Sequence, residues 1–197
     1  MLKYEWRKKE KDSYLPKAKP ELVDVPEYKF VTIAGEGNPN SEHFSEYIGV
    51  LYTVSYAIKT TLKKREPKPK GYMGYTVYPL EGVWDISKEA RKTFNGMVNK
   101  DDFVYTLMIR QPDFVSDTFF KEMLDLAKKK KPYALLDQVQ FETIREGKCI
   151  QMLHIGPYDN EPENFKTMES FATANNWCRD SKVHREIYLS DFRKVAP

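Results

Sequence analysis

Cysteine is scarce in this chain. Among 197 residues there are two, Cys149 and Cys178, far apart and without C-x-x-C or Cys/His spacing, which excludes a disulfide-stapled scaffold and an ordinary zinc module. Long apolar runs are missing as well: nothing approaches the length of a membrane span, and the opening MLKYEWRKKEKDSY lacks the apolar region of a signal peptide. The expectation is a soluble cytoplasmic protein with no membrane partner. Charge of one sign is not in excess either. The 32 basic and 29 acidic residues leave +3, and the basic groups are scattered or in short runs, too little for direct nucleic-acid binding. No P-loop, GxGxxG or HExxH motif is present, so no nucleotide cofactor and no metal are expected.

Aromatic residues are plentiful: 13 Tyr, 11 Phe and 3 Trp make up 14% of the chain. Each tyrosine hydroxyl must find water or a partner, so packing alone seldom calls for so many, and some are expected to line a concavity. With 41% apolar residues, the length suits a single domain or two small similar halves.

Residues Met1–Glu27, charged and carrying Pro16, Pro20 and Pro26, read as an extended arm with little regular structure, and without a helix-turn-helix. A strand follows over Tyr28–Ala34, then a loop, GEGNPN, and a helix capped by Asn40 or Ser41 that carries Phe44, Tyr47, Ile48, Leu51 and Tyr52 to about Thr61. The loop KKREPKPKG reads as solvated. Two β-rich stretches, Tyr72–Asp85 and Asp102–Pro112, place Tyr75, Tyr78, Trp84, Phe103 and Tyr105 as aromatic walls or as ordinary core. Val115–Lys131 is a helix whose terminal lysines favour its dipole. Strands at about Leu136–Ile144 and Cys149–Ile155 are joined by a hairpin, REGK, and GPYDNEP leads into a helix with Pro162 in its first turn.

The last stretch, HREIYLSD at His184–Asp191, carries the most chemistry. Strand alternation puts Ile187 and Leu189 on one side and His184, Glu186 and Tyr188 on the other. A carboxylate between an imidazole and a phenol suits recognition of a cationic or flat aromatic ligand, and with a raised pKa it suits general base work. A solvated Glu186 at a sheet edge is the plainer alternative. His43 and His184 have ordinary explanations as an exposed helix residue and a strand start. His154, on an alternating strand before the GPYDNEP loop, is a candidate for ligand contact.

VTIAGEGNPNSEHF and MLHIGPYDNEPENF both run from strand through a Gly-containing loop to a helix with an early Phe. This implies a strand–helix–strand–strand unit used twice, at about 28–112 and 113–197, within one domain over 28–197. The fold class expected is α+β: a pseudo-two-fold antiparallel sheet with helices on one face and a concave ligand cleft on the other. Counting along the repeat makes Glu186 roughly the counterpart of Tyr75, so that an acid from one half faces aromatics from the other across the cleft.

TIAGEGNPN, EYIGVLYTVSYAIK, YTVYPLEGVWD, YTLMIRQPDFV, QMLHIGPYDNEP and HREIYLSDFRK together resemble the GyrI-like small-molecule-binding domain family in its stand-alone bacterial form, over nearly the whole chain. The same class includes effector-binding modules of multidrug-responsive transcription activators. The resemblance implies a cleft between the repeats where an acid meets cationic aromatic compounds, and hydrolysis of cyclopropanoid DNA-alkylating natural products, a detoxification. Glu186 matches the carboxylate, and Trp84 and Tyr75 match aromatic positions. Relatives continue past SDFRK into a closing strand, where this sequence stops at Pro197.

The candidate catalytic residues are thus Glu186, as general base for a water, and Tyr75. Tyr75, Trp84 and Tyr105 form the expected cage, and a tyrosine or His154 hydrogen-bonds the oxygen that gains charge. Tyr105, Met108, His154 and Tyr188 are lining positions placed by alternation. The alternatives are a non-catalytic sequestering or sensing module, in which Glu186 pairs with a ligand cation, and a gyrase-inhibitor-type partner protein, as the family name implies.

Overall fold

The computed structural model describes residues 3–95 and 97–190, apart from the side chain of Asp159. Strands β1 (Lys3–Tyr4) and β3 (Gly74–Tyr75) pair in parallel as a small separate sheet. Between β1 and the main sheet come two single-turn helices, α1 (Trp6–Lys9) and α2 (Lys11–Tyr14). Strand β2 (Glu21–Glu36) leads to α3 (Glu42–Lys64), then β4 (Leu80–Ile86), the short α4 (Lys88–Thr93) and β5 (Phe103–Gln111). The second half holds α5 (Asp117–Lys130), β6 (Gln140–Gln151), α6 (Glu161–Ala174) and β7 (His184–Ile187).

The expected α+β class is what the chain adopts. Five antiparallel strands follow the order β6-β2-β5-β4-β7. The strand–helix–strand–strand unit is complete in the first half, while the second is described as far as β7 and Ser190. The expectation about a closing strand near Pro197 lies outside the described residues.

Alternation along the central strands sends Val31, Ile33, Leu107 and Ile109 to one face, where they pack with Leu51, Val54 and Ile58 of α3, all buried. Ser41 caps α3 by accepting from the Phe44 amide at 3.3 Å. The stripe of α3 is apolar because that face never meets water. Helix α5 lies beside it, and Phe120 stacks on Phe141 of β6 at 5.0 Å.

The other face curls inward. Arg185 of β7 forms ion pairs with Glu81 of neighbouring β4 and with Glu146 of β6, so the two outer strands of the sheet approach one another and the sheet is a half-barrel. Its interior holds Phe30, Thr32, Glu81, Met108 and Arg110, and the N-terminal arm plugs it. Trp6 and Tyr14 are buried, Trp6 Nε1 donates to the Val77 carbonyl at 2.9 Å, and Tyr14 touches both Glu81 and Arg110.

Two expectations are corrected here. The arm contains α1 and α2, and β2 begins at Glu21 rather than Tyr28, because Trp6 and Tyr14 find an apolar seat and Pro26 has no amide to lose from the ladder. The hairpin expected at REGK is instead one strand, β6, since the long β2 offers it a single unbroken register from Glu21↔Gln151 to Thr32↔Gln140.

Two glycines give opposite expectations. A Cβ on Gly35 would lie 2.5 Å from the ring of Tyr105, itself 5% exposed and hemmed in by Phe44 and Tyr47. Gly49 sits in the exposed interior of α3 with nothing near its Cβ position. Urea denaturation should show Gly35→Ala destabilised by about 1–3 kcal/mol and Gly49→Ala stabilised by up to about 1 kcal/mol.

Candidate functional site

Strand β7 pairs with β4 so that Gly82 faces Glu186, Val83 faces Arg185 and Trp84 faces His184. Directly opposed residues share a face, so His184 and Glu186 lie on the same side of the sheet as Gly82 and Trp84, away from Arg185 and Glu81. Gly82 matters for what it lacks. A Cβ there would stand 2.7 Å from Trp84 Nε1, so only glycine lets the indole fold over the strand towards Tyr188, to whose hydroxyl Nε1 donates at 2.9 Å.

Tyr188 lies two residues along from Glu186 on the same face of the strand, close enough for the Glu186 charge to act on its phenol. Burial, then the Glu186 charge, raises the Tyr188 phenol well above its ordinary value, so it is a neutral donor. His184 Nε2 lies 3.3 Å from Glu186 Oε1, and the ring of Phe165 on α6 meets the His184 ring at 4.8 Å. From the start of α6, Glu161 reaches back so that its carboxyl lies within 4.8 Å of that of Glu186. Burial, followed by the charge of Glu186 and the hydrogen bond to it, pushes the Glu161 carboxyl up to about 8. Two carboxyls so close cannot both ionise cheaply, so the pair holds a proton well above the ordinary carboxyl range.

The result is a chain of contacts, Glu161–Glu186–Tyr188–Trp84, with His184 at its side. It borders a broad open depression between β6, α6 and β7 whose wall also includes His154 and Phe165. Chemically it offers an acceptor carboxylate, a proton on the adjacent carboxyl and an aromatic flank. Ligand atoms of Glu161, His184 and Glu186 lie within 4.8 Å of one another, the spacing a metal ion would need, with His184 Nε2 3.3 Å from Glu186 Oε1.

Of the residues singled out from the sequence, Glu186, Tyr188 and His154 lie on this wall, and Trp84 joins through its bond to Tyr188. His154 is tied down in its own loop, with Nε2 2.9 Å from the Pro157 carbonyl and Nδ1 3.1 Å from the Asn164 amide. Tyr105 touches Trp84 at 5.1 Å but belongs to the core beneath α3. Its phenol is raised to about 12, first by burial and then by neighbouring Tyr47 and Glu36. Met108 lies opposite Glu81, on the inner face, and is 1% exposed. Tyr75 is not brought to Glu186. It pairs with Tyr4 in the small parallel sheet and packs on Phe114, whereas the residue facing Glu186 on β4 is Gly82.

Glu161 is the residue that sequence reasoning passed over. Its signal was present: an acid inside GPYDNEP, in the first turn of a helix whose Phe165 points at β7.

No helix among the described residues is long and apolar enough to cross a membrane. A search of curated proteins found no match. Among solved structures, an uncharacterized conserved protein from Listeria innocua is 34% identical, with a TM-score of 0.86 over 98% of this chain and 94% of that one. A hydrolase from Listeria innocua is likewise 34% identical, with a TM-score of 0.84 over 98% and 93% of the two chains. The EcmrR C-terminal domain, 12% identical, shares the fold with a TM-score of 0.52 over 89% of this chain and 86% of that domain. The model of the GyrI-like small molecule binding domain matches residues 18–197, and the chain belongs to that family.

Proposed function

We propose that this protein binds flat aromatic compounds at the Glu161–Glu186 pair and hydrolyses those that carry a strained cyclopropane, disarming DNA-alkylating natural products. The observation that carries the reading is the cluster of Glu161, His184 and Glu186, with ligand atoms within 4.8 Å of one another, beside Tyr188, whose hydroxyl accepts from Trp84 Nε1 at 2.9 Å. The 34% identity to a Listeria innocua protein described as a hydrolase supports it.

In this reading Glu186 takes a proton from a water while the water oxygen bonds to the ring carbon. The ring C–C bond breaks, its electron pair passes to the conjugated carbonyl oxygen of the substrate, and that oxygen takes a proton from solvent. Glu161 and Tyr188 are positioning residues beside Glu186: the shared proton of the carboxyl pair and the neighbouring neutral phenol keep it an oriented acceptor. The ring of Phe165 and the Tyr188 phenol flank the substrate plane.

A second reading, a sequestering or sensing module for aromatic cations, uses the same groups: a carboxylate with rings beside it attracts a cation without chemistry.

Incubation with a cyclopropane-bearing alkylating compound, followed by mass spectrometry, separates the two. The expected outcome is a product heavier by one water, formed at least about 100-fold more slowly by Glu186→Gln, as loss of a general base implies. A compound that is bound and returned unaltered decides for the second reading.

Titration gives an independent check. Because Glu161 binds its proton more tightly folded than unfolded, the folded state carries the extra proton between the ordinary carboxyl value and about 8. Stability should therefore decline as pH rises through that window, the full penalty standing above about 8. Thermal melts should show Glu161→Gln, which cannot ionise, lacking this decline, and native turnover should fall over the same upper limb as the pair opens.

A further inference from the structure

On the inner face of the half-barrel, Glu10 of the N-terminal arm is held as a ligand would be held. Arg110 Nη1 donates to Glu10 Oε2 at 2.5 Å, and the hydroxyls of Tyr4 and Tyr78 donate to Oε1 at 2.9 and 2.8 Å. The ring of Tyr28 stacks on the guanidinium with its centroid 3.3 Å from Cζ, and the Tyr78 ring lies at 4.6 Å. Both carboxylate oxygens are satisfied, one by a charged donor and one by two phenols. Glu10 itself stands at the kink between α1 and α2, two four-residue helices, and its side chain is 13% exposed.

Two features distinguish this arrangement from a routine ion pair. The Arg110 side chain is 9% exposed, and its Nε, buried, has no partner, so the guanidinium carries donor capacity that Glu10 leaves unused. Three tyrosine rings lie over the guanidinium from separate segments, Tyr14 of α2, Tyr28 of β2 and Tyr78 from the approach to β4, while Tyr4 of β1 reaches the Glu10 carboxylate that Arg110 holds. A stacked guanidinium with phenol donors at its rim is a receptor for a planar organic anion.

We propose that Arg110, Tyr4, Tyr28 and Tyr78 form a binding site for small organic carboxylates, distinct from the Glu161–Glu186 site, and that Glu10 fills it in cis as a tethered occupant which free carboxylates displace. The ligand class follows from the donor set: a planar monoanion with an acceptor for each of the two groups of donors. A tether of this kind corresponds to an effective concentration in the millimolar range, so free carboxylates compete poorly with Glu10 in the native chain and well once its carboxylate is gone.

Glu10→Ala removes the equivalent of one acetate, which makes acetate the probe and acetamide its neutral counterpart. Calorimetric titration of the full chain at constant ionic strength should give an acetate midpoint at least about 100-fold lower for Glu10→Ala than for the native protein. Acetamide should give no heat, and Arg110→Met in the Glu10→Ala background should abolish acetate binding. Equal midpoints for native and variant, equal binding of acetamide, or acetate binding that survives loss of Arg110 would each overturn the proposal. If Glu10→Ala does not fold, Glu10→Gln keeps the packing. Acetate should then raise its Tm where acetamide does not, and identical melts in the two would equally defeat the idea.

Discussion

The ion pair between Glu81 and Arg185 is the interaction on which the candidate site depends. Glu81 has no exposure at all, and burial pushes its carboxyl above the ordinary range while Arg185 pulls it back. Arg185 donates to it through both Nε, at 2.7 Å, and Nη2, and reaches Glu146 with Nη1. Left alone, either charge would be costly; breaking a buried pair of this sort costs about 3–5 kcal/mol. Strand β7 has four residues and pairs with β4, too short a ladder to fix its own register. The side chain of Arg185 fixes it. Since the pleat alternates, locking Arg185 inward turns His184 and Glu186 to the opposite side. A slip of one residue would exchange them, placing a guanidinium beside Glu161 and a carboxylate beside Glu81.

The sheet thereby separates two kinds of acid. On the inner face each buried carboxylate has a guanidinium: Glu81 and Glu146 share Arg185, and Glu10 has Arg110. An acid paired with a permanent cation serves architecture. On the other side Glu161 has another carboxylate as its partner, and what neutralises the pair is a proton. A proton can leave, whereas a guanidinium cannot. The same residue type is therefore structural on one face and chemically labile on the other, and the difference lies in the partner that each side of the pleat supplies.

Legibility in the sequence follows the range of the interactions involved. Ser41 as a cap and Pro162 in the first turn of α6 are decided by neighbours a few residues away, and both were readable. The alternation of HREIYLSD was readable too, and it put Glu186 and Tyr188 together. Arg185 was not, because an arginine in a strand reads as a solvated group until a buried acid 104 residues away is known to face it. Tyr75 was misplaced for the same reason. Counting along a repeat assumes that both halves pair alike, but residues 74–75 are claimed by β1, a partner contributed by an arm that the sequence marks as irregular. Trp84 and Tyr105 were correctly taken as neighbours, yet whether such a pair lines a cleft or a core depends on where α3 lies, which no local pattern states.

The arm ties these levels together. The Tyr14 hydroxyl lies between Arg110 and Glu81, 3.3 Å from the first and 3.4 Å from the second, so the group that plugs the half-barrel also touches the acid that anchors β7. Burial first, then the charge of Glu81, holds that phenol neutral far above its ordinary value, which keeps it available as a donor. Arg7, in the preceding helix α1, donates to the Leu189 carbonyl just beyond β7. The strand carrying Glu186 is thus held by a short ladder on one side, by Arg185 from within and by the arm at its end. Elements with few backbone bonds lie at the low end of local stability. Here the missing backbone bonds are replaced by charged and phenolic side chains, which fix orientation as well as position, and orientation is what an acceptor carboxylate requires.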